Sequence, residues 1–173
     1  VMASRGSVIP LFYSLKKRGS LPITHEGMTR FMIDLSDAVD LVWNAFNDMI
    51  GGEIYVKKIP SIKITDIAKV IAPNSKFEII GIRPGEKLHE QMIGREDSFT
   101  TFEYKDYFKI LPQLNNWGVD KKRIKQGKKV KEGFVYSSEN NIDWMTKTYL
   151  PALETSLEDV RISFANIKDI FNR

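Results

Sequence analysis

Apolar side chains change their spacing several times along the chain, and each change marks an element. Over 8–15, Pro10 suits a first helical turn, Lys16, Lys17 and Arg18 gather where the last carbonyls are free, and Gly19 stops a short helix. An extended stretch over 21–24 and a loop around Gly27 lead to a strand over 30–33. Leu35, Ala38, Val39, Val42, Phe46 and Met49 then recur at three- and four-residue steps, which predicts a second helix capped by Asp34 or Ser36 and ended by Gly51-Gly52. A strand over 53–56 follows, and Ile62-Lys63-Ile64 leads into a helix that Thr65 caps, that runs through Ile67, Ala68 and Ile71, and that Pro73 closes. The β-branched run 77–82 reads as a strand, 83–86 as a turn and 87–93 as a helix.

Short strands are expected over 101–104 and 107–111, and a polar loop over 114–133. In the last segment Leu157, Val160, Phe164, Ile167 and Phe171 alternate steps of three and four behind a Ser156/Asp159 cap, which predicts a helix docked on its own domain or on a neighbouring subunit. Alternating strands and helices make the class α/β. No repeat or low-complexity linker divides the chain, so one unit over 1–144 with a helical tail over 145–173 is the expected partition. The opening Val1-Met2-Ala3-Ser4 reads like the end of a strand already in progress, so part of a longer protein is expected.

The chain has 173 residues, 42% hydrophobic and 28% charged, as an ordinary globular domain does. It contains no run of about 18 apolar residues and no leader pattern, so a cytoplasmic protein without a membrane partner is expected. With no cysteine and only His25 and His89, thiolate chemistry is excluded and a histidine-rich metal cage cannot be built; no metal is expected. The net charge of +4 and the basic run from Lys121 to Lys131 raise nucleic acid as a partner. That run lacks interleaved aromatics for base stacking, so a solvated loop and no nucleic acid are expected.

Three stretches carry candidate chemistry. Ser4-Arg5-Gly6-Ser7-Val8-Ile9-Pro10 is a turn into a helix start, where free amides attract anions, although taken alone an ordinary strand-to-helix turn is the simpler explanation. Arg83-Pro84-Gly85-Glu86 sets a planar donor fork for a diphosphate three residues before a carboxylate able to accept two ribose hydroxyls; a charged helix start is the plain alternative. Thr24 to Phe31 adds Arg30 beside an aromatic residue. Arg30 and Arg83 are chosen as a two-arginine clamp on one diphosphate, against the common fate of a lone arginine in a surface ion pair. Glu86, His89 and Glu90 on one helical face, and the Tyr13/Lys17 pair at Tyr-x-x-x-Lys spacing, are weaker patterns that need no chemistry to explain them, and no catalytic residue is assigned.

Taken together, Ser4 to Pro10, Pro22 to Phe31, Gly52-Glu53-Ile54 and Gly81 to Glu90, in this order and continuing through Asp106-Tyr107-Phe108 and Phe134 to Ser138, closely resemble the inverting UDP-N-acetylglucosamine 4,6-dehydratases of the extended short-chain dehydrogenase/reductase (SDR) superfamily. The resemblance implies the C-terminal substrate domain of an extended Rossmann-type enzyme whose dinucleotide-binding half is missing here, with NADP bound mainly by that absent domain. In such enzymes a hydride leaves the sugar C4, water is lost across C5 and C6, and the hydride returns to C6 with inversion at C5. The family's catalytic residues lie upstream of Val1. Carried over by position, Arg30 and Arg83 would grip the UDP diphosphate, Glu86 the ribose hydroxyls, Ser7, Val8 and Pro10 would line the nucleotide pocket, and Thr24 would stand at its rim. The implied function is UDP-sugar binding within a homo-oligomeric lyase of surface-glycan or nonulosonic acid biosynthesis, as in flagellin glycosylation or capsule formation, with the chain inactive by itself. A UDP-sugar 4-epimerase, and a non-catalytic binding or assembly module, are the competing readings. After Trp144 the sequence departs from the family.

Overall fold

The computed structural model describes residues 4, 6–113 and 121–145. It opens with α1 (Val8–Leu15), a 3-10 turn (Lys16–Arg18), β1 (Ser20–Ile23), β2 (Thr29–Phe31), α2 (Leu35–Asp48), β3 (Ile54–Lys57) and β4 (Ser61–Lys63). There follow α3 (Ile64–Ile71), β5 (Lys76–Ile79), β6 (Gln91–Ile93), a 3-10 turn (Glu96–Thr100), β7 (Thr101–Glu103), β8 (Tyr107–Ile110), α4 (Lys121–Ile124), β9 (Lys128–Lys129) and β10 (Tyr136–Ser137). The class is α/β, as the alternation of patterns predicts. The expected helix over 157–171, and residues 114–120 of the expected loop, lie outside the described residues.

Two apolar cores organise these elements. In the first, α3 presents Ile64, Ile67, Ala68 and Ile71 on one face, and they meet Ile9 and Phe12 of α1 and Leu21 and Ile23 of β1. Strand β1 pairs in parallel with β5, so the chain between them crosses over, and α3 lies within that crossover. The second core gathers Val56, Ile93, Phe108, Ile110 and Tyr136 where the antiparallel sheet β3-β8-β7-β9 meets the β6–β10 pair. Phe31 joins the two regions: it ends β2, which pairs antiparallel with β4, and its ring lies 4.8 Å from that of Tyr136.

Helix α2 forms as its periodicity predicts, with the Asp34 side chain accepting from the Asp37 amide as N-cap at 2.7 Å. It ends at Asp48, ahead of the two glycines. Its apolar stripe is not covered: Leu35, Val42, Trp43 and Phe46 are all more than half exposed. None of the helices formed by the described residues is long and apolar enough to cross a membrane.

Three expectations need correction. Residues 87–93 do not form a helix. Their backbone groups bond at long range instead: the Leu88 carbonyl accepts from the Thr29 amide at 3.2 Å, the Glu90 carbonyl accepts from the Ser138 amide at 2.8 Å, and 91–93 pair with β10. Side chains decide this too, because Leu88 packs on the first core while Ile93 is buried in the second. Thr65 is not a cap but a buried residue inside α3, because β4 runs directly into the helix and the Ile64 amide donates to the Met28 carbonyl at 3.0 Å. Finally, the basic run is not wholly a solvated loop. Arg123 is 8% exposed, forms an ion pair with Glu53 and donates to the Gly51 carbonyl at 2.9 Å, while Lys128 and Lys129 form an edge strand.

Candidate functional site

The N-terminus of α1 is built by a turn in which the Ser7 amide donates to the Ser4 carbonyl at 3.0 Å and Gly6 adopts φ +78°. That φ requires glycine; space does not, since nothing lies within 4 Å of where a Cβ would stand. Ser7 then takes the extended N-cap conformation, yet its side chain caps nothing. Its Oγ is buried with no hydrogen-bond partner among the described residues. A buried hydroxyl without a partner costs free energy.

Ser7 is one of the residues lining a cavity of about 390 Å³ between α1, the end of β1, β2, the start of α3 and the loop after β5, with its Oγ closed off behind the cavity surface. The size is that of an ordinary small-molecule pocket. Of the residues selected from sequence, Ser7, Val8, Thr24, Arg30, Arg83 and Glu86 line it; Pro10 stands on the same helix but does not. Ile9, Phe12, Met28, Phe31, Ile64 and Ile80 supply an apolar wall that sequence reasoning did not assign to the site. Their apolar character was visible, but a core residue and a pocket residue give the same periodic signal.

The two arginines reach the cavity differently. Arg83 sits in a turn closed by the Glu86 amide donating to the Arg83 carbonyl at 3.0 Å, with Pro84 second and Gly85 third at φ +81°. One Glu86 carboxylate oxygen accepts from the Arg83 amide at 3.3 Å, while the Arg83 guanidinium makes no bond to another described side chain. Arg30, on β2, is already engaged. Its Nη1 donates to the Thr29 and Leu88 carbonyls at 2.7 and 3.0 Å, its Nη2 to the Lys87 carbonyl at 2.8 Å, and its Nε lies 3.5 Å from Glu90. Of five N–H groups, three are spent on backbone carbonyls, the Nε–H faces Glu90, and one Nη2–H has no partner among the described residues. Both cations therefore belong to one cavity, with Arg83 carrying the free donor fork.

The weaker patterns resolve otherwise. His89 bonds Thr29 and Glu139, at 2.7 and 3.2 Å. Lys16, not Lys17, stands over the Tyr13 ring, 5.0 Å from its centre. A second, larger cavity of about 750 Å³ is lined by Lys57, Lys58 and several carboxylates, but Lys57 is paired with Asp37 and Lys58 with Glu103 at 2.7 Å, so two of its cations are already neutralised.

The strongest shifts in acidity occur elsewhere, around Asp48. Burial raises its pKa, but hydrogen bonds from Lys109, Lys125 and Tyr55 outweigh this and hold it down at about 2. Burial and the neighbouring charges of Tyr107 and Asp48 push Tyr104 up to about 12, and burial with the hydrogen bond to Asp48 raises Tyr55 further. Perturbed groups can mark reactive sites, but here both Asp48 oxygens are occupied by protein donors, which is the arrangement of a structural network.

Against known proteins, the family model described as polysaccharide biosynthesis protein matches residues 1–112. The UDP-N-acetylglucosamine 4,6-dehydratase (inverting) of Campylobacter jejuni is 48% identical over 158 residues, covering 87% of this chain and 47% of that protein. The UDP-glucose 4-epimerase of Rickettsia rickettsii is 41% identical over 145 residues, covering 81% of this chain and 42% of that protein. Among solved structures, Pen from Bacillus thuringiensis superposes with a TM-score of 0.72 at 33% identity, over 90% of this chain and 46% of that one. The chain spans about half the length of the curated relatives it matches. An ordered set of motifs, a shared α/β fold and this extent of identity lead to one conclusion: the chain belongs to the polysaccharide biosynthesis protein family.

Proposed function

We propose that this chain is the UDP-sugar-binding portion of a UDP-N-acetylglucosamine 4,6-dehydratase that inverts C5, a homo-oligomeric cytoplasmic lyase supplying a surface-glycan pathway. The observation that carries the reading is the meeting of Arg83, Glu86 and Arg30 in one pocket of nucleotide size, with Ser7 and Val8 in its lining. A guanidinium fork suits a diphosphate, a carboxylate suits vicinal hydroxyls, and a partly apolar wall suits a base and a sugar ring. In this reading Arg83 takes the larger share of the diphosphate, with Arg30 adding charge and its remaining N–H. Binding energy gathered on the nucleotide holds the sugar in place for chemistry at C4 to C6.

A nicotinamide cofactor, NADP in this reading, supplies the hydride chemistry in such an enzyme. The described residues contain no glycine-rich strand-to-helix turn of the dinucleotide type, so no step through the cofactor is assigned to them. A UDP-sugar 4-epimerase is the second reading, supported by the Rickettsia relative.

Titrating the 173-residue chain with UDP by calorimetry tests the pocket; saturable binding that Arg83→Ala weakens is expected, and binding indifferent to Arg83→Ala would remove the assignment. Supplying UDP-N-acetylglucosamine to the complete protein separates the two enzymes. A 4-keto-6-deoxy product marks the dehydratase, and a C4 epimer with C6 still hydroxylated marks the epimerase.

A further inference from the structure

The segment 83–90, which carries Arg83 and Glu86, has no helix or strand of its own, and Arg83, Pro84 and Gly85 are exposed. Its turn is self-contained, so the position of that turn depends on what anchors 87–90. Two sets of bonds do so. Arg30 donates to the Lys87 and Leu88 carbonyls, as described above. The second set passes through Thr29, which is 3% exposed, and Ser138, which is 0% exposed. Thr29 Oγ1 lies 2.7 Å from His89 Nδ1 and 2.7 Å from Ser138 Oγ, and Ser138 Oγ accepts from the Glu90 amide at 2.9 Å. His89 Nε2 lies 3.2 Å from the Glu139 carboxylate.

The donors order themselves. The Glu90 N–H can only donate, so Ser138 Oγ accepts there, and a carboxylate can only accept, so His89 Nε2 carries hydrogen. In the tautomer that carries hydrogen on Nε2 and none on Nδ1, Thr29 O–H donates to Nδ1 and Ser138 O–H donates to Thr29 Oγ1. Every hydrogen in this chain has an acceptor, and the run extends in one direction from the Glu90 amide to the Glu139 carboxylate. It joins β2, the binding loop and the stretch after β10.

We infer that Thr29 and Ser138 are positioning residues: through His89 and Glu90 they hold the 83–90 loop at the height where Arg83 reaches the diphosphate. The inference rests on the reading of the cavity as a UDP site. Neither residue lines that cavity, so their effect on a ligand passes through the loop.

The test is a double-mutant cycle in the 173-residue chain, with UDP as the titrant. Thr29→Val removes the central hydroxyl with little change in shape and is expected to weaken UDP binding about tenfold, the effect of leaving buried partners unsatisfied. Thr29→Ser keeps the hydroxyl and is expected to bind as the parent does. In an Arg83→Lys background, where the planar fork is already lost, Thr29→Val is expected to add less than about twofold, because residues acting through one another are not additive. Amide exchange over 83–90 is expected to quicken in Thr29→Val while that of α3 is unchanged. Should Thr29→Val not fold, Ser138→Ala breaks the same chain from its other side and is read identically. Equal losses in both backgrounds, or no loss and unchanged exchange, overturn the inference while leaving the site in place. Arg83→Lys binding UDP as tightly as the parent overturns the reading of the site itself, and this inference with it.

Discussion

Lys109, with 1% of its side chain exposed, sets its ammonium against the carboxylate of Asp48 at the C-terminal end of α2. The same ammonium donates to the Arg123 carbonyl at 2.8 Å and lies 5.3 and 5.1 Å from the ring centres of Tyr55 and Tyr104. Asp48 also accepts from Tyr55 at 2.8 Å. One carboxylate thereby ties α2 to β3 and β8, and through the Arg123 carbonyl to α4.

Removing one partner leaves the other charge buried and unpaired. Lys109→Met is expected to destabilise the chain by about 3 kcal/mol, and Asp48→Asn by a similar amount, measured by chemical denaturation. The pair replaced together should lose less than the sum of the two single losses.

The depressed pKa of Asp48 adds a pH dependence. Because its folded value of about 2 lies below its ordinary 3.8, the contribution is complete above the ordinary carboxylate range and is lost as pH falls from about 4 towards 2. Integrated, that shift is roughly 2 kcal/mol. Denaturation midpoints of the parent should fall across this window, and those of Asp48→Asn should fall less.

Ser7→Ala is expected to separate stability from binding. The hydroxyl makes no cap bond and has no partner, so its removal should raise stability by about 1 kcal/mol in thermal unfolding. The same change should leave UDP binding close to that of the parent, since the Oγ is closed off from the cavity. A loss of stability on substitution would mean that the hydroxyl serves the fold.

Arg30→Ala should cost more than one ligand contact. Its donors hold the Lys87 and Leu88 carbonyls, so both the charge and the loop's position are lost together. UDP affinity is expected to fall by at least about thirtyfold, the equivalent of about 2 kcal/mol, with faster amide exchange at 87–90. Arg83→Ala should weaken binding without changing that exchange.

The apolar stripe of α2 predicts a surface effect. Phe46→Glu replaces a side chain that is 65% exposed and should leave thermal stability within about 0.5 kcal/mol of the parent, while reducing dye binding and self-association in light scattering.

The elements with a strong local signal were legible without coordinates. α1 runs into a 3-10 turn that stops at Gly19, which takes φ +75°, and the three-four spacing of α2 needs no tertiary information to be read as a helix. The strands at Tyr107–Ile110 and Thr101–Glu103 follow from local composition in the same way. The segment 87–93 misleads because Leu88, His89 and Glu90 are compatible with a helix, and the groups that outcompete it, Arg30, Thr29 and Ser138, stand far away in sequence. Arg123 misleads for the same reason: nothing in a run of lysines reveals that one member will meet Glu53.

What the amino-acid sequence determined by itself is the alternation of strand and helix, the turn that presents Arg83 with Glu86, and the identity of the side chains able to hold a diphosphate. These depend on backbone preference, side-chain period and chemical type, all of which act over a few residues. Only the tertiary structure decided that Arg30 spends most of its donors on the loop, that Ser7 is left without a partner, and that Lys109 and Asp48 meet. Those outcomes depend on which groups lose water together, and that is settled when elements distant in sequence come into contact.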